Sequence, residues 1–94
     1  MTSSAAELAA DVMRWDAERK LERLRDRLAA LGINAELRDN NSALMVHRPK
    51  DGLPLHVVLK FRAAYYVCQE ADERYPTNDP EAAAEVLAYH VRGR

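Results

Sequence analysis

Four side chains of the sequence could bind a transition metal or act as a nucleophile, and they are His47, His56, His90 and Cys68. Zinc sites usually take at least one pair of ligands from positions a few residues apart in the chain. These four residues contain no such close pair. His47, His56 and Cys68 would share one face of a predicted sheet, where we expect surface histidines and an unreactive thiol. His90 would lie on the apolar stripe of the last predicted helix, where we expect a packed, hydrogen-bonded histidine. We therefore expect no metal or other cofactor.

Catalysis by a cysteine needs a cation or a helix N-terminus that lowers the pKa of the thiol. The predicted sheet places Lys60 beside Tyr66, so Cys68 lacks such a neighbour. Glu70 would lie opposite His56 and could orient its imidazole, although an ordinary cross-strand polar pair explains this placement as well. The sequence contains no G-x-S-x-G, H-E-x-x-H or C-x-x-C motif. We therefore predict a protein that is not an enzyme.

The composition fits one globular domain over residues 1–94, with 48% hydrophobic and 31% charged residues. A net charge of −1 provides no overall positive field that would attract nucleic acid or an anionic membrane. A single cysteine favours a reducing compartment. Residues 1–10 lack the runs of a signal peptide, and no stretch approaches the roughly 20 apolar residues of a membrane span. We expect a soluble cytoplasmic domain with no small-molecule substrate.

The first predicted element is a long helix over residues 5–31. Ser4 and Glu7 would form a capping box at its start, and Gly32 suits the position just after its end. Four leucines at helical spacing predict which side of the second half faces the core. This stripe consists of Leu21, Leu24, Leu28 and Leu31.

After this helix the apolar period changes from 3.6 to 2, which predicts a sheet over residues 33–70. Loops at Asn40-Asn41, Pro49–Gly52 and Arg62–Ala64 would join four strands as an antiparallel meander. A common apolar face fixes the register, because a one-residue slip would turn a strand over. The predicted pairs are Leu37 with Leu44, Ala35 with Val46, Val46 with Leu55, Leu44 with Val57, Phe61 with Tyr65, and Leu59 with Val67.

Residues 71–79 are predicted to form a polar loop that leads into a second helix over residues 80–92. Asp79 is a suitable N-cap, and Pro80 suits the first helical position. The element order α-β-β-β-β-α predicts an α+β fold, in which both helices pack on one face of a four-stranded antiparallel sheet.

A second apolar group, Leu8, Val12 and Trp15, lies about opposite the leucine stripe in the first half of the long helix. This helix would be about 40 Å long, whereas strands of five or six residues span about 17–20 Å. Its first half must therefore overhang the sheet or bend back over the second helix and bury these residues. We interpret it as an overhang that forms a protein interface, most simply of a homodimer, or of an accessory protein with a larger partner.

The outer face of the predicted sheet has an apolar centre that includes Met45, Val58 and Tyr66 within a polar rim. Interfaces are built in this way, and so are ordinary exposed sheets of moderate hydrophobicity. We name these three residues as further interface candidates.

A competing class of function is nucleic-acid binding through the arginines of the first helix. These are Arg14, Arg19, Arg23, Arg25 and Arg27. They alternate with acidic residues and spread around the helix, which is typical of a solvated charged surface. We therefore expect no nucleic-acid partner.

In outline, Leu21–Leu59 resembles two α-β-β-β-α families, the double-stranded-RNA-binding domains and the small HicA-like toxin ribonucleases. The resemblance covers less than half of the chain. The first family opens its second helix with a basic K-K-x-A-K run, where this chain has Asp79–Ala84. The second carries a catalytic G-S-H segment, where this chain has Asn40-Asn41-Ser42. Since neither functional motif is present, the resemblance assigns no site residue.

Overall fold

The computed structural model describes residues 5–49 and 52–92, with side chains described from Trp15 onward. Seven elements follow one another along the chain and confirm the predicted α+β fold class. They are α1 (Ala5–Ala30), β1 (Ala35–Arg38), β2 (Ala43–Val46), β3 (Leu55–Lys60), β4 (Tyr65–Cys68), β5 (Glu73–Pro76) and α2 (Pro80–Val91).

The helix α1 runs without a break from Ala5 to Ala30, so its first half does not bend back. The predicted leucine stripe is confirmed, since Leu21, Leu24 and Leu28 are fully buried and Leu31 is partly buried against the same core. Gly32 ends the helix with φ +82, and the amide of Ile33 donates to the Leu28 carbonyl at 2.9 Å. This is the geometry of a glycine helix stop. The predicted capping box depends on Ser4, which lies outside the described residues.

The strands form one antiparallel meander in the order β1-β2-β3-β4-β5. The register predicted for its first three strands is confirmed. Leu44 of β2 lies between Leu37 of β1 and Val57 of β3. The apolar face of these strands and the helical stripes enclose the core. Its largest fully buried side chains include Leu21, Leu24, Leu28, Leu44, Tyr66 and Leu87.

The strand β5 corrects the prediction of four strands with a polar loop over residues 71–79. It pairs with β4 and places Tyr65 opposite Pro76 and Cys68 opposite Glu73. Only Tyr75 contributes an apolar side chain to the core side of this strand, so its alternation was too short to indicate a strand. An edge position also tolerates Pro76, which has no amide hydrogen to donate.

The register predicted between β3 and β4 was wrong by one residue. Leu59 lies opposite Tyr66, because the connecting loop contains four residues, 61–64, instead of three. A slip of one residue exchanges the two faces of a strand. Tyr66 and Cys68 are therefore fully buried, and Val67 lies on the outer face.

The helix α2 begins as predicted at Asp79, whose carboxylate accepts a hydrogen bond of 3.1 Å from the Ala82 amide. It packs beside α1 on the inner face of the sheet. Its buried residues are Ala83, Ala84, Leu87, Ala88 and Val91. Within the described ranges, neither helix is long and apolar enough to cross a membrane.

Candidate interaction surface

The first candidate surface is the part of α1 that precedes its buried stripe, Ala5–Trp15, which we call the α1 front. Trp15 is 59% exposed, although the same helix is fully buried at Leu21. The guanidinium of Arg19 lies 4.9 Å from the centre of the Trp15 ring. Leu8 and Val12 occupy the two preceding turns of α1, but their side chains lie outside the described set. The structure therefore places Trp15 on the surface of the monomer.

A second surface, which sequence reasoning missed, lies where β3 turns into β4. Phe61 is 58% exposed, and its ring meets that of Tyr65 edge to face, with centres 5.7 Å apart. The Arg74 guanidinium lies 5.1 Å from the centre of Phe61 and 4.9 Å from that of Tyr65. We call Lys60, Phe61, Arg62, Tyr65 and Arg74 the β3–β4 corner.

The β3–β4 corner was missed because it depends on two errors already described. Placing Tyr65 on the outer face requires the four-residue loop, and placing Arg74 beside it requires β5. A signal was nevertheless present in the sequence, since Phe61 and Tyr65 flank a stretch that must turn. Beside the corner is a depression of about 300 Å³, lined by Lys60, Phe61, Val67, Asp72, Glu73 and Arg74.

Hydrogen bonds fix the β3–β4 loop against α1 and the end of β5. The Ala63 carbonyl accepts a bond of 3.0 Å from Lys20 Nζ and one of 2.8 Å from Thr77 Oγ1. The Tyr66 hydroxyl donates to the Lys20 carbonyl at 2.8 Å. Burial raises the pKa of Tyr66 to about 12, so this hydroxyl stays protonated as a donor at neutral pH. Because Lys20 of α1 lies at this loop, the α1 front, which precedes Lys20, projects past the end of the sheet.

The predicted outer-face candidates divide into two groups. Met45 and Val58 lie on the outer face and are partly buried. Tyr66 does not, because it lies on the inner face with no exposed surface. Its selection rested on the wrong register, and Tyr65 and Val67 occupy the outer positions of β4 in its place.

The residues that could have carried chemistry do not all share one face of the sheet. Cys68 points into the core, so it does not share a face with His47 and His56 as predicted. Burial raises the pKa of its thiol, and the charges of Glu70 and Glu73 raise it further, which opposes formation of a nucleophilic thiolate. In the described part of the chain, no three His, Cys, Asp or Glu side chains are grouped to hold a metal.

Each histidine instead contacts one glutamate. His56 Nδ1 lies 2.7 Å from Glu70 Oε2, and the His56 amide donates to the other oxygen at 2.7 Å. The other two pairs, His47–Glu36 at 2.6 Å and His90–Glu73 at 2.9 Å, also join separate segments. The predicted juxtaposition of His56 and Glu70 is therefore present, as one of three similar cross-links on the surface.

Three arginines of α1 contact groups of the protein itself. Arg19 lies over Trp15, Arg25 contacts Asp26 at 3.4 Å, and Arg27 contacts Glu81 of α2 at 3.5 Å. The charges of Arg25 and Arg27 are therefore partly compensated. The Arg14 side chain lies outside the described set.

Comparisons with protein-family models, with curated proteins and with solved structures find no match to this chain.

Proposed function

We propose that this chain is a non-enzymatic protein-interaction domain that associates with a second copy of itself through the α1 front. The observation that carries the proposal is the exposure of Trp15, at 59%, on a helix that continues beyond the sheet it covers. A role as an accessory to a larger partner would use the same surface.

Two physical arguments support this function. Tryptophan is among the residues most enriched at the energetic centres of interfaces, because its large ring gains much when it leaves water. The unbroken path of α1 also removes the main intramolecular alternative, in which the first half bends back over α2 and covers this residue. Because no sheet lies beneath the α1 front, its surface is available for a partner to cover.

The outer-sheet candidates Met45 and Val58 belong to a separate surface, because α1 and α2 pack on the opposite face. We therefore place the self-association on the α1 front alone. The nucleic-acid alternative receives no further support from the arginines of α1, since Arg25 and Arg27 already contact acids.

The proposal predicts that Trp15→Ala converts a dimer into a folded monomer. Light scattering coupled to size exclusion measures the mass, and circular dichroism checks that the variant remains folded. Since Trp15 is the only tryptophan, its emission in the wild type should also move to shorter wavelength as the protein concentration rises.

Tyr89→Ala is the matched control, because Tyr89 is an aromatic residue of α2 that is 65% exposed. This variant should keep the mass of the wild type. A wild type that stays monomeric at about 100 µM, a concentration at which micromolar association would be visible, would contradict self-association.

A further inference from the structure

We propose that the β3–β4 corner is a second binding site, which recognises a carboxylate in an acidic segment of a partner protein. This inference goes beyond the self-association proposed above and does not depend on Trp15. It rests on how Arg74 is held and on the finding that, among the described residues, no acid forms an ion pair with Arg74 or Lys60.

The side chain of Arg74 is pre-positioned by the two rings. Its guanidinium lies within 5.1 Å of the centres of both Phe61 and Tyr65. The donors of a guanidinium lie in its own plane, so packing against a ring face leaves them free for a bidentate contact. Fixing the side chain before binding also reduces the conformational entropy that a contact would cost.

Ion pairs cover only part of the described surface, since Arg48 and Arg92 donate to backbone carbonyls instead. Elsewhere, Lys20, Arg27 and Arg38 each lie within 3.5 Å of a carboxylate oxygen. In the described ranges, no carboxylate forms an ion pair with Lys60, Arg62 or Arg74. The corner thus places two of these cations, Lys60 and Arg74, along the same depression as the exposed ring of Phe61, and this combination complements an anion next to an apolar group.

The neighbouring acids restrict the ligand to a small anion. Asp72 and Glu73 also line the adjoining depression, and the Glu73 carboxylate is engaged by His90 at 2.9 Å. A nucleic-acid strand would bring several phosphates towards these carboxylates and towards a protein whose net charge is −1. One carboxylate on Arg74, with an apolar side chain on Phe61, meets less of this repulsion than several phosphates would.

The loop conformation supports a fixed position for Phe61. Phe61, Arg62 and Ala63 have φ of 58, 57 and 64, a left-handed region that residues with a Cβ occupy at a cost of about 1–2 kcal/mol each. The bonds from Lys20 and Thr77 to the Ala63 carbonyl hold this conformation. Strained backbone of this kind is retained where the surroundings over-determine it.

The test uses two blocked peptides as probes, acetyl-Leu-Glu-Leu-Glu-amide and its neutral counterpart acetyl-Leu-Gln-Leu-Gln-amide, added to the full chain and followed by amide NMR shifts. The acidic peptide should shift residues 60–65 and Arg74 and should bind at least tenfold more tightly than the neutral one. Arg74→Gln should weaken binding of the acidic peptide about tenfold. The affinity of Arg74→Lys for the acidic peptide should lie between those of the wild type and Arg74→Gln, because lysine keeps the positive charge but cannot make a bidentate contact.

Equal shifts with both peptides, or none at the corner, would overturn the inference. So would tighter binding of a short oligothymidylate than of the acidic peptide, since that result would assign the corner to nucleic acid. The self-association is read separately from the mass of the Arg74→Gln variant, which should equal that of the wild type whatever the peptides do.

Discussion

The backbone of Ala63 joins three parts of the molecule through a single carbonyl, which accepts hydrogen bonds from both α1 and the end of β5. It does so in a left-handed conformation, with φ of 64. A second turn, Asp39–Asn41, has the same three-residue conformation. Aspartate and asparagine accept it readily, whereas phenylalanine, arginine and alanine do not. The turn at residues 61–63 is therefore the strained member of the pair.

We predict that Ala63→Gly stabilises the protein by about 0.5–1 kcal/mol. Glycine removes the steric cost of the left-handed conformation, of about 1–2 kcal/mol, and part of this gain is lost to the greater freedom of the unfolded chain. Urea unfolding followed by circular dichroism measures the difference. Ala64→Gly is the control, because Ala64 is not in the left-handed region and the same change there should destabilise. Equal effects at both positions would show that the turn is not strained.

Several single residues could be predicted from their own chemistry. Gly32 occupies the helix stop, which glycine favours because it has no Cβ, and Asp79 occupies the N-cap that its carboxylate favours. The burial of Tyr66 could not be predicted in this way, because a tyrosine suits either a core or a surface. Its hydroxyl needs a partner when buried, and that partner, the Lys20 carbonyl, becomes visible only once α1 is placed over the sheet.

At the scale of elements, loop length decided which registers could be predicted. The loop between β1 and β2 contains Asn40 and Asn41, whose tolerance of positive φ favours a tight turn there. Residues 61–64 contain no such signal, so three and four residues fit the pattern about equally well. Both choices keep an apolar alternation in β4, since Tyr65, Tyr66, Val67 and Cys68 are all apolar. When every residue of a strand is apolar, its sequence does not show which face of the strand packs against the core.

The corrected register predicts effects of very different size at two neighbouring positions of β4. Cys68→Asp should unfold the domain, because an unpaired charge at a fully buried site costs several kcal/mol against a total stability of roughly 5–15 kcal/mol. Val67→Asp should cost much less, since its side chain lies on the outer face and is only partly buried. Thermal unfolding of the two variants measures this contrast. A lower stability of Val67→Asp than of Cys68→Asp would instead support the register that a three-residue loop gives.

At the scale of the whole molecule, the shape follows from the mismatch between a 26-residue helix and strands of four to six residues. The longest extent is 54 Å, more than twice the other two. This overhang could be predicted because helix and strand lengths follow from the sequence periodicity. The β3–β4 corner could not be predicted, since it combines residues from β3, β4 and β5 whose relative positions depend on the correct strand count.

The three histidine–glutamate contacts cross-link segments throughout the molecule, between β1 and the end of β2, between β3 and the end of β4, and between β5 and α2. Burial raises the pKa of Glu70, but hydrogen bonds from the His56 amide and imidazole outweigh it, so the pKa is lowered. Hydrogen bonds from Tyr75 and His90 lower the pKa of Glu73. Both carboxylates are therefore ionised more readily in the folded protein than in the unfolded chain.

We predict from this direction that acid destabilises the protein. A carboxyl whose pKa is lowered by folding contributes stability above its unfolded pKa, near 4.3, and this contribution is lost as the pH falls through the folded value. The urea midpoint should therefore fall as the pH is lowered from about pH 5 to pH 3. Glu70→Gln removes one of the two carboxyls, so its midpoint should be lower than that of the wild type at pH 7 and should fall less steeply below pH 5. Identical slopes for the two proteins in the acidic range would mean that the contact between His56 and Glu70 does not stabilise the fold in solution.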